Sequence, residues 1–377
     1  MSKNRVNFIC FIVLILLCIN ASFFPDAIEL NENLYDLFDA EAIINDNNEN
    51  ENVNFHITVR TIDDGNNIYV PDGYGYHYGP SIIINDDESI DAWFASPGDY
   101  GQWDWIRYRH YDGNKWSETK VVLRPNSNGE DHYSVCDPGV IYFDGYYYLA
   151  YTSTQNSDGY ENNIYVARSQ NPDGPYEKWN GNGWGENPVP IVEYQGKENY
   201  WGAGEGSFAI KDDKLYCYYT YISEDGDQTR VAVADLCDNW PNTMEYKGVC
   251  YNRKDGQDSC DVVYLEPFDI FAAFSISNRF SEYSGIAVYE SEDGISFKQT
   301  DVVRGGISQF AHNMGISKRK DGHINSNDNL FVGYAYGTST KSWGKWSTRF
   351  QGIKLYFYEG KISMPSKYED STYRELR

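Results

Sequence analysis

The sequence predicts an all-β fold, a five-bladed β-propeller whose blades are four-stranded antiparallel sheets. Aromatic residues make up 16% of the 377 residues, with 34 Tyr and 10 Trp, and Gly reaches 33. This composition is typical of half-buried pleated sheets joined by tight turns. Short runs of Tyr, Ile, Val and Phe alternate with Gly, Asp and Asn turns, and no long stretch has helical spacing. One strand pattern recurs five times along the chain, which favours a propeller.

The first 54 residues are predicted to precede the propeller. Lys3 and Arg5 come before an almost wholly apolar run from Val6 to Ile19, and small or polar residues follow. That order indicates a secretory signal peptide over residues 1–22. An uncleaved membrane anchor is the alternative, although the run is short for a span of about 20 residues. Residues 23–54 are acidic and rich in Asn, and we interpret them as a solvated linker.

Residues 55–360 are predicted to form the propeller, and residues 361–377 a C-terminal tail. In each repeat a short strand and a turn lead to an aromatic strand, a longer polar loop, a third strand and a short fourth one. The anchor positions of the five first strands lie 51–68 residues apart, at Pro80, Asp137, Glu205, Asp261 and His312. The strand FHITVRTI at Phe55–Ile62 is expected to close the ring by pairing with the last blade. A β-sandwich with a similar number of strands is the rival, but it would not predict a repeated four-strand unit.

The charge of the chain limits its partners. The net charge is −25, from 31 Lys and Arg against 56 Asp and Glu. Nucleic acids and anionic membrane surfaces select for Lys and Arg, so the balance argues against both and disfavours a polyanionic substrate. No stretch after the signal is apolar enough to cross a bilayer. We therefore expect a secreted, extracellular protein, monomeric and without a membrane partner once the signal is cleaved.

The cysteine count allows few disulfides. Two of the seven Cys lie in the predicted signal, and the five that remain form at most two bonds. The pairings we expect are Cys217–Cys237 and Cys250–Cys260, which would leave Cys136 free.

The propeller prediction sorts the polar and aromatic residues by position. First strands line the central channel, and their starts lie on the same face as the loops between second and third strands. The strand starts contribute Tyr78, Asp137, Glu205, Asp261 and His312, and Trp201 comes just before one of them. The loops contribute Trp103, Asp104, Trp105, Tyr160, Arg279, Phe280 and Trp343. We expect these side chains to converge on one funnel.

Three carboxylates in an aromatic funnel favour the hydrolysis of glycosidic bonds. That reaction needs one carboxylic acid to protonate the leaving oxygen and a second carboxylate to activate water or attack the sugar. A third charge nearby keeps the acid protonated, because like charges raise its pKa. Aromatic walls bind the apolar faces of sugar rings. Each carboxylate alone would be interpreted as a turn residue, but three consecutive repeats carry one at the same place.

These residues resemble the five-bladed propeller glycoside hydrolases of family 43, with relatives in families 62, 32 and 117. The resemblance rests on CDPGVIYFDGYYYLAYTST with NIYVARSQNPDGPYEKW, and on GAGEGSFAIKDDKLYCYYT, and covers roughly residues 74–360. It implies that Asp137 is the base, Glu205 the acid and Asp261 the residue that tunes the acid. It also implies that His312 helps to hold a central cation or water, that no cofactor is required, and that a structural or central calcium ion is allowed.

The first repeat departs from the family pattern. It reads YGPS where the family usually has Asp-Pro. Either Asp137 supplies the base from the second blade, or Asp104 in QWDWI does so, or the base is lost. Loss of the base would make the protein a sugar-binding relative without hydrolysis.

The sequence therefore predicts a secreted glycoside hydrolase acting on neutral polysaccharides or oligosaccharides, with arabinofuranosyl or xylosyl units as substrates. Inversion is expected if the carboxyl groups of Asp137 and Glu205 lie about 6.5–9.5 Å apart, and retention if they lie near 5 Å. A non-catalytic carbohydrate-binding propeller is the second hypothesis. A protein-interaction propeller is the third, and it would not require converging carboxylates.

Overall fold

The structure is a computed structural model that describes residues 34–36, 55–62, 67–73, 75–325 and 328–359. The predicted signal peptide and C-terminal tail lie outside the described residues. The predicted linker does too, apart from strand β1, Leu34–Asp36, at residues for which a linker was expected. The described residues include no helix long and apolar enough to span a bilayer.

The all-β prediction is confirmed, because five antiparallel sheets account for nearly all regular structure in the described ranges. Only two short 3₁₀ turns interrupt them, at Trp240–Thr243 and Glu266–Phe268. Blade 1 consists of β4 Tyr78–Ile84, β5 Ile90–Pro97, β6 Asp104–Tyr111 and β7 Lys120–Leu123. Blade 2 consists of β8 Cys136–Phe143, β9 Tyr146–Ser153, β10 Asn163–Ser169, β11 Glu177–Trp179 and β12 Trp184–Gly185.

The third and fourth blades have four strands each. Blade 3 consists of β13 Gly202–Lys211, β14 Lys214–Ser223, β15 Gly226–Asp235 and β16 Glu245–Asn252. Blade 4 consists of β17 Cys260–Leu265, β18 Ile270–Ser277, β19 Gly285–Ser291 and β20 Lys298–Arg304. The acidic and Asn-Gly turns seen in the sequence separate consecutive strands.

Blade 5 closes the ring with strands from both parts of the chain. Its own strands are β21 Ala311–Ile316, β22 Leu330–Tyr336 and β23 Ser347–Glu359. Strand β2, Phe55–Thr61, pairs antiparallel with β23, as the sequence predicted. Strands β1 and β3 (Ile68–Val70) add to β23 as well. First strands β4, β8, β13, β17 and β21 neighbour one another in turn, and β21 neighbours β4, so the ring is complete.

The hydrophobic core is divided into five layers, one between each pair of adjacent blades. Trp93 and Tyr151 centre the layer between blades 1 and 2, and Phe208 belongs to the next. The other layers lie between blades 3 and 4, 4 and 5, and 5 and 1. Alternating apolar side chains of each blade thus pack on both neighbours, which explains the aromatic-rich sequence.

Side chains on the first strands bond the blades together around the axis. The hydroxyl of Ser81 accepts the backbone N–H of Val140 at 2.9 Å, and Ser207 does the same for Val262 at 3.0 Å. Where blade 2 has Gly139 at this position, an added Cβ would lie 1.9 Å from the carbonyl oxygen of Gly206. The first strands therefore touch backbone to backbone near the axis.

The predicted disulfides are wrong, because all five cysteines of the described chain are free thiols. Cys217 is buried in the layer between blades 2 and 3, whereas Cys237 is exposed in the turn after β15. Cys250 and Cys260 lie in one core layer, but on strands of different blades. Their closeness in sequence therefore does not lead to a disulfide bond.

Candidate functional site

A β-bulge at the start of the first strand aims side chains at the propeller axis. The pairing register shifts there in blades 1, 2, 3 and 5. At each shift one residue has a positive φ: Gly79 at 56°, Asp137 at 49°, Glu205 at 57° and Asn313 at 40°. For the three non-glycine residues this left-handed backbone is costly, and such strain concentrates at functional sites. The bulges bring Asp137 and Glu205 into one central pocket.

The bulges and the bonds between blades correct the predicted register of three repeats. In the first repeat the equivalent of Asp137 is Gly79 rather than the predicted Pro80, and the fourth and fifth repeats differ as well. Asp261 accepts the backbone N–H of Ile316 at 2.9 Å, so it occupies the position that Ser81 and Ser207 occupy in their blades. Two residues before it, Ser259 is the equivalent of Glu205. In blade 5 the equivalent is Asn313 rather than His312. Asp261 still lines the pocket, but one layer deeper than the other two carboxylates.

Asp261 is engaged by a buried ammonium group. The Nζ of Lys318 lies 2.7 Å from an Asp261 oxygen, and the hydroxyl of Ser207 donates to the same oxygen at 2.5 Å. Lys318 is 1% exposed, and its Nζ also contacts the carbonyl oxygens of Phe208 and Val262 at 3.3 Å. This arrangement gives Asp261 a structural role in joining blades 3, 4 and 5.

Asp137 and Glu205 form a buried acidic pair, each 9% exposed. Burial, and then the charge of Glu205, raises the pKa of Asp137 well above its usual range. Burial also raises the pKa of Glu205, with the charge of Asp258 adding to it and that of Arg253 opposing it. Two carboxyl groups so close compete for ionisation, so the pair retains a proton at pH values where isolated carboxyl groups are charged.

A hydrogen-bond network holds the Glu205 carboxyl group in place. The hydroxyl of Thr220 donates to Oε2 at 2.5 Å, and the side-chain amide of Asn313 donates to Oε1 at 3.2 Å. Arg253 Nη1 lies 3.9 Å from Oε2. The backbone N–H of Glu205 donates to Thr152 at 2.7 Å. Glu205 is therefore oriented by neighbouring strands on both sides, with its charge partly balanced.

Asp258 is the third carboxylate of this network, and the sequence did not indicate it. It accepts the backbone N–H of Asn313 at 2.9 Å and Arg279 Nη1 at 2.6 Å. Burial acts to raise its pKa, but the charges of Arg279, His312 and Arg253 outweigh burial and hold the pKa at about 2. Asp258 is thus a permanent negative charge beside Glu205.

Three functional residues escaped the sequence reasoning. Asp258, Asn313 and Arg253 all contact Glu205 or act on its charge. Aligning the repeats on the residues that bond one blade to the next would have placed Asn313 opposite Glu205. No sequence signal marks Arg253, which reaches the site from the link between blades 3 and 4.

Asp104, the first residue of β6, lies outside the lining of the pocket but close enough to Asp137 for its charge to act on that carboxyl group. The phenol of Tyr76 donates to its Oδ1 at 2.9 Å. Burial raises the pKa of Asp104 to about 6, although hydrogen bonds from Tyr76, Tyr78 and Ser134 act to lower it. Next to it, Gly79 has no side chain, and a Cβ there would lie 3.4 Å from an Asp137 oxygen. Blade 1 thus contributes Asp104 from its third strand and no carboxylate from its first.

The predicted aromatic residues divide into three groups. In the first group, Tyr78 and Phe280 enclose His312 together with Trp346, which the sequence did not predict and whose ring centroid lies 4.3 Å from that of His312. Burial lowers the pKa of His312 to about 4, so the imidazole is neutral above that pH. The Nδ1 of His312 lies 2.5 Å from Asn313 Oδ1. The other two groups are the ring of Trp201, which lies over Gly204 beside the pocket, and the exposed loop residues Trp103, Tyr160 and Trp343.

Trp105 was predicted to bind substrate, but the structure packs it elsewhere. It is 7% exposed, and its Nε1 donates to Gln102 at 2.6 Å. The guanidinium groups of Arg107 and Arg124 cover its ring. Because successive side chains of a strand point to opposite faces, Trp105 turns away when Asp104 turns towards the site.

Metal binding was expected at most near His312. Among the residues that the structure describes, no group of three or more His, Cys, Asp or Glu side chains is arranged to hold a metal ion. The central calcium ion therefore stays a prediction.

Comparisons with known proteins match the fold. No protein-family model and no curated protein matches the chain. Among solved structures, Zg3597, a family 117 glycoside hydrolase of the marine bacterium Zobellia galactanivorans, is 16% identical at a TM-score of 0.55 over 80% of this chain and 90% of that one. A thermostable family-43 glycoside hydrolase is 16% identical at a TM-score of 0.50, over 81% and 99%.

A third structure comes from a fungus. The catalytic domain of a GH62 α-L-arabinofuranosidase of Coprinopsis cinerea is 10% identical at a TM-score of 0.55, over 76% of this chain and 94% of that one. The predicted resemblance to the propeller glycoside hydrolases is thus confirmed as a shared fold. At these identities function has to be argued from the site itself.

Proposed function

We propose that the protein is a glycoside hydrolase for neutral saccharides, with Glu205 as the general acid and Asp104 as the general base. The observation that carries the proposal is the buried pair of Asp137 and Glu205 at the base of the axial pocket. A carboxyl group that keeps its proton near neutral pH is what protonation of a leaving oxygen requires.

The choice of base departs from the sequence expectation of Asp137. A base must be ionised when it acts, and Asp137 has its pKa raised by burial and by Glu205. Asp104, with a pKa of about 6, is ionised at neutral pH and is poised near the optimum for proton abstraction. Asp137 and Glu205 then share one proton, and we propose that Glu205 is the group that gives it to the leaving oxygen.

The proposed reaction is a single displacement with inversion. The oxygen of a water molecule attacks the anomeric carbon while Asp104 takes a proton from that water. At the same time Glu205 gives its proton to the departing glycosidic oxygen. Gly79 presents no side chain to Asp137, and we propose that this water lies there. These steps use only carboxyl groups and water. Proton NMR of the first-formed product anomer tests the stereochemistry, and a retained configuration would contradict it.

We propose arabinofuranosyl or xylosyl units as the sugars cleaved. Support comes from the structurally similar enzymes described as α-L-arabinofuranosidases and as a xylan β-1,4-xylosidase. The acidic surface of this chain is compatible with neutral sugars. We further propose that the protein acts outside the cell, on the basis of its N-terminal sequence.

The experiment that tests the proposal compares Glu205→Gln with wild type on a panel of aryl glycosides. We expect kcat to fall by about 10²–10⁴ on phenyl glycosides, the usual contribution of a positioned acid. The loss should be much smaller on dinitrophenyl glycosides, whose leaving group needs no proton. Glu245→Gln, the same change at an exposed position of the outer strand β16, is the matched control. Near-normal turnover of phenyl glycosides by Glu205→Gln would refute the assignment.

A carbohydrate-binding propeller without catalysis is the second candidate, and the observation that favours it is Gly79. Blade 1 offers no carboxylate at the position where blades 2 and 3 have theirs. Calorimetric binding of oligosaccharides by wild type, without hydrolysis on prolonged incubation, would establish this candidate in place of the first.

A further inference from the structure

The exposed aromatic side chains of the described chain are concentrated around the mouth of the pocket. We call five of them the aromatic rim: Tyr100, Trp103, Tyr160, Tyr283 and Trp343. All five lie in loops between the second and third strands of blades, the loops that surround the pocket. Among the side chains whose burial the structure describes, the other exposed aromatic residues are Tyr69 and Tyr246, on the outer strands β3 and β16.

The opposite face of the propeller has a different character. In the described residues, its turns between first and second strands are rich in Asp, Glu and Asn and expose no aromatic ring, as at Asp86–Glu88 and Asp212–Asp213. Fold stability does not require this asymmetry, because both sets of turns only connect strands. Exposed aromatic surface on one face indicates binding.

The rim forms an arc that is open at one blade. Blades 4, 5, 1 and 2 are consecutive in the ring and each contributes at least one rim residue. The corresponding loop of blade 3 is short and carries Glu224 and Asp225. A long ligand therefore has exposed aromatic surface along four consecutive blades, whereas the loop of blade 3 offers carboxylates.

Trp103 of the rim is held in place by its neighbours. The backbone N–H of Trp103 donates to the carbonyl oxygen of Tyr133 at 2.8 Å, and the two rings stack at 5.3 Å with 13° between their planes. Trp103 also lies over Gly159, next to Tyr160 of the neighbouring blade. The aromatic rim therefore continues without a gap from blade 1 to blade 2.

The other half of the arc is joined to the interior. Trp343 is 70% exposed, and its ring centroid lies 5.6 Å from that of Phe280 and 5.1 Å from that of Trp346. Phe280 in turn contacts His312 at 4.6 Å, and His312 stacks on Tyr78 of blade 1. Ordered aromatic surfaces lose little conformational entropy on binding, which suits a binding platform.

We infer that the rim binds an extended neutral polysaccharide, so that the substrate is a residue of a polymer rather than a free disaccharide. That the polymer is cleaved rests on the proposed function. That the polymer is bound rests on the aromatic rim alone. Separate flat rings suit the repeated apolar faces of sugar units along a chain. The carboxylates of blade 3 and the net charge of −25 disfavour an anionic polymer.

The experiment measures polymer binding without turnover. Wild type and Glu205→Gln, each alone and combined with Trp103→Ala or Trp343→Ala, are run on native affinity gels. The gels contain arabinoxylan, linear arabinan, galactan or mixed-linkage glucan, and polygalacturonate is the anionic probe. Tyr246→Ala, which removes an exposed aromatic ring outside the rim, is the matched control.

We expect wild type to be retarded by at least one neutral polymer and not by polygalacturonate. Each rim substitution should weaken that binding about tenfold, the equivalent of roughly 1.4 kcal/mol, while Tyr246→Ala binds as wild type. Failure to bind any neutral polymer, preferred binding of polygalacturonate, or rim variants that bind as tightly as wild type would each overturn the inference.

The proposed function and this inference fail in different ways. Polymer binding that depends on the rim, without hydrolysis of any aryl glycoside or polymer, would refute the proposed reaction and leave the inference standing. Hydrolysis of aryl glycosides with rim-independent polymer binding would refute the inference alone.

Discussion

Replacing Tyr76 by Phe tests the base assignment through the pH dependence of the reaction. Asp104 has a pKa of about 6, and its ionised form is the active base. The rate should therefore rise with pH through about 6 and be lost as pH falls. At pH 4, two units lower, only about 1% of Asp104 is ionised, so kcat/KM should be about 100-fold below its plateau.

The hydrogen bond from Tyr76 sets the pH at which the rate rises, which we call the acid limb of the pH–rate profile. The phenol donates to Asp104 Oδ1 at 2.9 Å and stabilises the carboxylate. A hydrogen bond to a charged group contributes about 1.5–3 kcal/mol, equivalent to about 1–2 pH units. In Tyr76→Phe the pKa of Asp104 should rise, because the ionised form loses its donor. The limb should then move from about 6 to about 7–8, with little change on the plateau.

The assay is kcat/KM for an activated aryl glycoside between pH 4 and 9. Tyr246→Phe is the control, since it removes a phenol hydroxyl from the outer strand of blade 3. Asp104→Asn should lower the plateau by about 10²–10⁴ and abolish the limb. A limb that stays at the same pH in Tyr76→Phe, and persists in Asp104→Asn, would show that another group is the base.

The remaining predictions concern stability and thiol chemistry. Lys318→Met should lower the free energy of unfolding in urea by about 3–5 kcal/mol, because Asp261 stays buried without its cation. The double variant Lys318→Met with Asp261→Asn should recover part of that free energy. A loss below about 1 kcal/mol in Lys318→Met would contradict this role. Gly139→Ala should prevent folding, since its Cβ would lie 1.9 Å from a carbonyl oxygen. Gly183→Ala is the control and should fold normally, because a Cβ there meets open space. An unchanged melting temperature for Gly139→Ala would disprove the close approach of the first strands. In native protein without residues 1–22, a thiol reagent should modify only Cys237 rapidly, the exposed thiol; a second fast thiol, or one that survives Cys237→Ser, would contradict the structure.

The position of Asp261 shows how a correct fold prediction leads to an incorrect register. The repeats were aligned on the Asp of CDVV as the counterpart of the Asp of CDPG. Blade 4 has no bulge at the start of its first strand, unlike blade 2. A strand without the extra residue places its side chains differently along the axis, so Asp261 bonds to blade 5 instead of pairing with Glu205.

The sequence by itself determined the propeller, its closure by Phe55–Thr61 and the convergence of Asp137 and Glu205 on one pocket. These features follow from local patterns, since strand alternation and turn residues repeat within each blade whatever the rest of the chain does. Bulge positions, by contrast, depend on pairing between strands and are not visible in a pattern of residue types.

Only the tertiary structure decided which groups act on the pair. Asp258, Arg253 and Asn313 reach Glu205 from 48–108 residues away in sequence. The hydrogen bond from Tyr76 to Asp104 joins the link before β4 to the start of β6, 28 residues further along the chain. Burial and distance set the charge of each carboxyl group, and both arise only when five blades close around an axis. The sequence therefore determines which residues are present in the ring, and its closure determines which of them act on one another.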